Sequence, residues 1–126
     1  MRKVKVYIAS PYSNGDKDKL VTLHLDAAYH LLKMGFNPFA PLYNHMIQRA
    51  HPDIDSEFEW LEIDKVWLSH CDIMTRLHFK DNDGNEILSP GANEEEKFAT
   101  ETGIPIFHFN TLEEMVRGFQ TIENTI

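Results

Sequence analysis

Strand-like and helical segments alternate along this chain, and that alternation confines it to a sheet clothed by helices. Val4 to Ala9 is an apolar run suited to a buried strand, and it breaks at the turn-rich Ser10-Pro11-Tyr12-Ser13-Asn14-Gly15-Asp16. Between Lys17 and Met34 apolar residues recur near the helical period at Leu20, Leu23, Ala27, Leu31 and Met34, and Gly35 supplies a stop. Phe36 to Ala40 reads as a second, short strand. Pro38 within it cannot donate to a ladder, so this strand belongs at an edge or an irregular position. A long pocket-forming connection with a helical turn follows Pro41, then a helical pattern from Ser56 to His70 and a third strand from Cys71 to Leu77. After the solvated turn Asp81 to Asn85 come a helix over Ser89 to Glu101, a buried-looking strand from Ile104 to Phe109, and a helix from Thr111 to about Gln120. Thr111 and Glu114 form a capping box for the last of these. The expected fold is α/β: a single-domain open sheet, mostly parallel, of four or five strands with helices on both faces.

In such a Rossmann-like layout ligands sit beyond the carboxyl ends of the strands, here Ala9 to Tyr12, Ala40 to His45, Leu77 to Pro90 and Phe109 onward. Two acids stand out against that background. If Ser89 caps its helix and Pro90 takes the first position, then Gly91, Ala92, Glu95, Phe98, Ala99 and Thr102 share a face, and Glu95 is its odd member. A carboxylate on a small, mostly apolar stripe must be hydrogen-bonded, exposed in a cleft, or raised in pKa. Asp64 interrupts the stripe of Trp60, Leu61, Trp67, Leu68 and Cys71 in the same way. A salt bridge or amide bond at the rim is the ordinary reading of such an acid; a carboxylate pair breaking a sugar C–X bond is the sharper one. Ser89-Pro90-Gly91-Ala92 likewise serves either as a plain cap or as an oxyanion seat, with the Ser89 hydroxyl and the amides of Gly91 and Ala92 facing the ligand. Tyr7 reads as core, with a phenol close enough to a strand end to orient a carboxylate. Trp60 and Trp67, seven apart, share a helical face and read as core or interface packing.

Composition narrows the function classes. A chain of 126 residues with 42% hydrophobic content has room for one domain with a real core. Net charge is -8 and the basic residues are scattered, so no nucleic-acid polymer is expected as a partner. One cysteine, Cys71, excludes a disulfide framework and reads as a small apolar residue beside a strand. The seven histidines show neither HxxxH nor HExxH spacing, and no metal is expected; His45, in the connection after the second strand, is a candidate substrate contact. The opening Met1-Arg2-Lys3-Val4 passes at once into a strand, and no apolar run approaches a membrane span, so the expected location is the cytoplasm, away from membranes.

In order and spacing, these segments resemble the nucleoside 2-deoxyribosyltransferase-like superfamily, nearest in pattern to the (deoxy)nucleoside 5'-monophosphate N-glycosidases. The resemblance spans about Val4 to Phe107. It rests on Val6-Tyr7-Ile8-Ala9-Ser10-Pro11-Tyr12, Gly35-Phe36-Asn37-Pro38 with Pro41, Trp60-Leu61-Glu62-Ile63-Asp64 with Cys71-Asp72, and Ser89-Pro90-Gly91-Ala92-Asn93-Glu94-Glu95 with Ala99 and Gly103-Ile104-Pro105. It implies Glu95 as nucleophile, Asp64 as second catalytic acid and Tyr7 as hydrogen-bond partner of the nucleophile. It further implies substrate contacts from Ser10, Pro11, Tyr12, Ser13 and Asn14, from His45, and from Ser89, Gly91 and Ala92. The implied reaction is hydrolysis of a nucleoside monophosphate to free base and sugar 5-phosphate, without metal or redox cofactor, in a homodimer or higher homo-oligomer. Base-exchange transfer and a non-catalytic nucleotide sensor are the alternatives. Ser89, standing where the transferase branch often has an acid, tilts the resemblance toward nucleotides, whereas the arginine some relatives place in the first loop is missing.

Overall fold

The computed structural model describes residues 2–54 and 60–125, apart from the His45 side chain. The start of the helical pattern expected from Ser56 therefore lies outside the described residues. Within them, strands β1 (Lys5–Ala9), β2 (Asn37–Phe39), β3 (Ile73–Leu77) and β4 (Ile106–Phe109) form one sheet in the order β2-β1-β3-β4. Every pairing in it is parallel. The helices are α1 (Lys17–Lys33), α2 (Asn44–Ala50), α3 (Trp60–Leu68), α4 (Pro90–Thr102) and α5 (Leu112–Phe119), and a 3₁₀ turn at Pro41–Tyr43 leads into α2.

The two-residue period of β1 builds two cores at once. Val6 and Ile8 pack with Leu20, Ala27 and Leu31 of α1 and with Met115 and Phe119 of α5. Tyr7 and Ala9 point the other way, onto Met74 of β3, Leu68 of α3 and Ala92 and Ala99 of α4. Helices cover both faces, as the alternating pattern predicts. Asp16, Ser89 and Thr111 cap α1, α4 and α5, each side chain accepting an amide proton three residues on, and Gly103 ends α4 at φ 78°. Only a residue without a Cβ takes that left-handed turn cheaply.

Pro38 lies on an edge strand, β2, where its missing donor costs nothing. The strand expected to be buried from Ile104 to Phe109 is a different case. It begins two residues later and forms the opposite edge, with Phe107 and His108 exposed. Ile106 packs beneath α3 and α4 while Phe109 packs against α5, so the strand is apolar because it serves two cores, not because it is enclosed.

From β1 the chain crosses to β2 on one side, and from β3 it crosses to β4 on the other. The chain thus leaves the two central strands in opposite directions, and a crevice opens beyond their carboxyl ends.

Candidate active site

A cleft of about 240 Å³ occupies that crevice. Ser10, Tyr12 and Ser13 reach it from the loop after β1, and Pro41 and Leu42 from the 3₁₀ turn. Trp60, Leu61 and Asp64 enter from α3; Ser89, Gly91, Ala92 and Glu95 enter from the start of α4. The two acids singled out by periodicity therefore line one cleft within a single chain, although α3 and α4 flank β3 in sequence.

Glu95 is only 8% exposed, and burial is the largest influence on it, pushing its pKa up to about 8. The Tyr7 hydroxyl donates to Glu95 Oε2 and opposes that rise, as does the nearby Arg76 guanidinium, while the negative charge of Asp64 adds to it. Tyr7 reaches Glu95 because it occupies the position of β1 that faces α4, where its ring stacks on Phe39 at 5.7 Å. Burial and the two neighbouring acids raise the phenol's own pKa, so it stays a donor throughout the working range.

Asp64 is equally buried, at 8% exposure, and is raised to about 6 by burial. Asn44 limits the rise by donating its amide to Asp64 Oδ1 at 3.2 Å. With Asp64 raised to about 6 and Glu95 to about 8, the two carboxyls together carry a single proton between those values, held mainly by Glu95. A buried acid pair with one proton can attack with one member and protonate with the other. At the mouth, Ser89 Oγ accepts the Ala92 amide proton at 3.3 Å, which leaves the hydroxyl proton for a ligand. Gly91 has open space where a Cβ would stand.

No protein-family model matches the sequence, and no curated protein matches it. Among solved structures, a 2-deoxyribosyltransferase from the psychrotolerant bacterium Bacillus psychrosaccharolyticus, described as a biocatalyst for nucleoside synthesis, aligns with a TM-score of 0.59. Identity is 24%, over 85% of this chain and 72% of that one. The two chains share a fold. The likeness is one of fold alone, the arrangement of sheet and helices.

Of the residues expected at the site, Glu95, Asp64, Ser10, Tyr12, Ser13, Ser89, Gly91 and Ala92 line the cleft, and Tyr7 stands behind Glu95. Pro11 and Asn14 are not part of the lining. Asn14 instead donates to the Leu88 carbonyl at 2.9 Å and braces the first loop against the entry to α4. The side chain of His45 lies outside the described residues. Trp60, expected to pack in a core or interface, forms a wall of the cleft and donates its indole N–H to Gln48 at 3.2 Å. Its place one helical turn before Asp64 was the available signal. Asn44 was missed because nothing local ties it to an acid twenty residues on. Cys71 is half-buried with its thiol raised to about 11, chiefly by burial, as suits a packing residue.

Proposed function

We propose that this cleft cleaves the N-glycosidic bond of a (deoxy)nucleoside or its 5'-monophosphate, passing the sugar through a covalent intermediate on Glu95. The observation that carries this reading is the convergence of two buried, mutually coupled carboxyls, one of them held by a phenol, on a single cleft. Ionised Glu95 attacks C1' through an oxocarbenium-like transition state, and the electron pair of the breaking C1'–N bond goes to the base nitrogen. The reactive form is the minor one of the singly protonated pair, in which the proton has passed from Glu95 to Asp64, and Asp64 supplies that proton to the departing base. Water or a second base then attacks C1', Glu95 leaves, and Asp64 recovers a proton from the attacking group. Tyr7 keeps Glu95 aimed and stabilises its ionised form.

Two acceptors are open to the glycosyl enzyme. The shared fold with a 2-deoxyribosyltransferase favours base transfer. Ser89 favours a 5'-monophosphate and hydrolysis, its hydroxyl and the α4 amides facing an anion. Among the described lining residues there is no lysine or arginine. A phosphate would therefore rest on those hydroxyls and amides, or on a group from a second copy. An assembly of copies is supported by Leu25, Tyr29 and Leu32, which form an exposed apolar stripe along α1.

Incubation with a panel of nucleosides and nucleoside monophosphates, with and without a second free base, tests the reading by chromatography of base, sugar and new nucleoside. Free base from at least one substrate is expected. Exchange into the added base identifies transfer, and indifference to it identifies hydrolysis. Tight binding without any base release over hours would instead make the cleft a sensor.

A further inference from the structure

Ser10 lines the cleft at only 6% exposure, and it is engaged from behind by a residue that the cleft does not reach. That residue is His24 of α1, which is fully buried. Its Nδ1 lies 2.7 Å from Ser10 Oγ, and its Nε2 lies 3.3 Å from the amide nitrogen of Leu42. Both partners belong to the cleft wall, one from the exit of β1 and the other from the turn after β2.

The protons in this arrangement follow from the chemistry of its members. A backbone amide only donates, so Nε2 accepts from Leu42 and carries no proton. A neutral imidazole then holds its proton on Nδ1, and that proton points at Ser10 Oγ. The opposite tautomer, or an imidazolium, would set an N–H against the Leu42 N–H. Ser10 therefore accepts from His24, and its own hydroxyl proton is left for the cleft.

We propose that His24 is a positioning residue that makes Ser10 a hydrogen-bond donor at the cleft wall, selecting a ligand whose atom at that point is an unprotonated oxygen acceptor. The identity of the ligand as a nucleoside or nucleotide rests on the function proposed above; the proton arrangement does not. A histidine that merely filled the core would have no reason to direct both nitrogens to groups that line the cleft. Here the imidazole converts the amide of Leu42, a fixed donor, into a fixed polarity for Ser10 across the width of one ring.

The wild-type protein, labelled with nitrogen-15 and sequence-specifically assigned, gives the first readout through the long-range proton–nitrogen correlations of the His24 ring. The Nδ1–H tautomer is expected; the Nε2–H tautomer or an imidazolium at neutral pH overturns the proposal. The second readout is a cycle of Ser10→Ala, His24→Leu and the double variant, followed by ligand Kd and by kcat and KM, with thermal melts to establish folding. Each single change should weaken binding about ten-fold, the loss of one hydrogen bond, with kcat little altered. The double variant should bind no worse than Ser10→Ala alone. Losses that multiply to roughly a hundred-fold in folded variants would mean that His24 acts by packing, and would overturn the proposal. If a folded wild type neither binds nor cleaves any nucleoside or nucleotide, the proposed function fails, and the tautomer spectrum still decides the assignment of His24.

Discussion

Replacing Tyr7 with Phe removes one hydroxyl from a fully buried ring and leaves its stacking on Phe39 in place, so the change isolates the hydrogen bond to Glu95. A hydrogen bond to an ionised group is worth about 1.5–3 kcal/mol. At 1.36 kcal/mol per pKa unit this corresponds to a rise of roughly one to two units in Glu95. Starting from about 8, the carboxyl would then titrate near 9 to 10 by the same order-of-magnitude conversion. In the proposed mechanism the productive state has Glu95 ionised and Asp64 protonated, and wild-type kcat/KM should follow a bell with limbs near 6 and 8. In Tyr7→Phe the single proton is held more firmly by Glu95. The plateau of kcat/KM should therefore fall about 10- to 100-fold while the alkaline limb moves outward by about one to two units. The assay is base release from pH 5 to 10.5, in parallel with circular dichroism melts. A folded variant whose profile superposes on the wild type would refute the role given to the phenol and, with it, the ionisation scheme for the pair.

Three other outcomes can be checked. Glu95→Gln should lower turnover by a factor on the order of a thousand or more while the chain still folds. Its effect on stability has a definite sign. Glu95 is raised from 4.5 to about 8, so its contribution is greatest below the unfolded-state value and is lost as pH rises through about 8. The Gln variant should gain on the wild type by up to about 5 kcal/mol across that window, 3.5 units at 1.36 kcal/mol each, and denaturant melts at pH 5 and 9 that show no relative gain would contradict the burial argument. Asp64→Asn should abolish the alkaline limb, leaving activity to rise with the ionisation of Glu95 alone, and slow turnover about 10²- to 10⁴-fold, least for substrates whose base leaves easily; equal slowing across leaving groups would remove Asp64 from proton transfer. Gly91→Ala places a methyl where no protein atom lies within 4 Å, and alanine is the better helix former by up to about 1 kcal/mol, so melting should hold or rise while KM increases several-fold. An unchanged KM would mean that no ligand approaches that backbone.

Much of the site was visible before the chain was folded because its signals are local. Glu95 stands out by its spacing from Ala92 and Ala99, and Ser89 by the cap it places three residues before the Ala92 amide. The bond from Tyr7 to Glu95, implied by the family resemblance, is present across eighty-eight positions of sequence. The amide of Asn44 on Asp64 and the buried link from His24 to Ser10 and Leu42 had no comparable signal. Each depends on two elements whose distance is set by how the helices seat on the sheet, and a lone histidine or asparagine in a helical pattern looks the same whatever it faces.

By itself the sequence determined the order of strands and helices, the caps at Ser89 and Thr111, an edge or irregular position for β2 and the two acids out of keeping with their stripes. These follow from backbone propensity and from the 2.0 and 3.6 residue periods, which act over a few neighbours. Tertiary structure alone decided that β4 is an exposed edge, that both acids open onto the crevice between β1 and β3, and how strongly each holds a proton. Strand order and desolvation are properties of the assembled layers: the same carboxyl on the same helix would titrate normally if its face met water instead of the sheet.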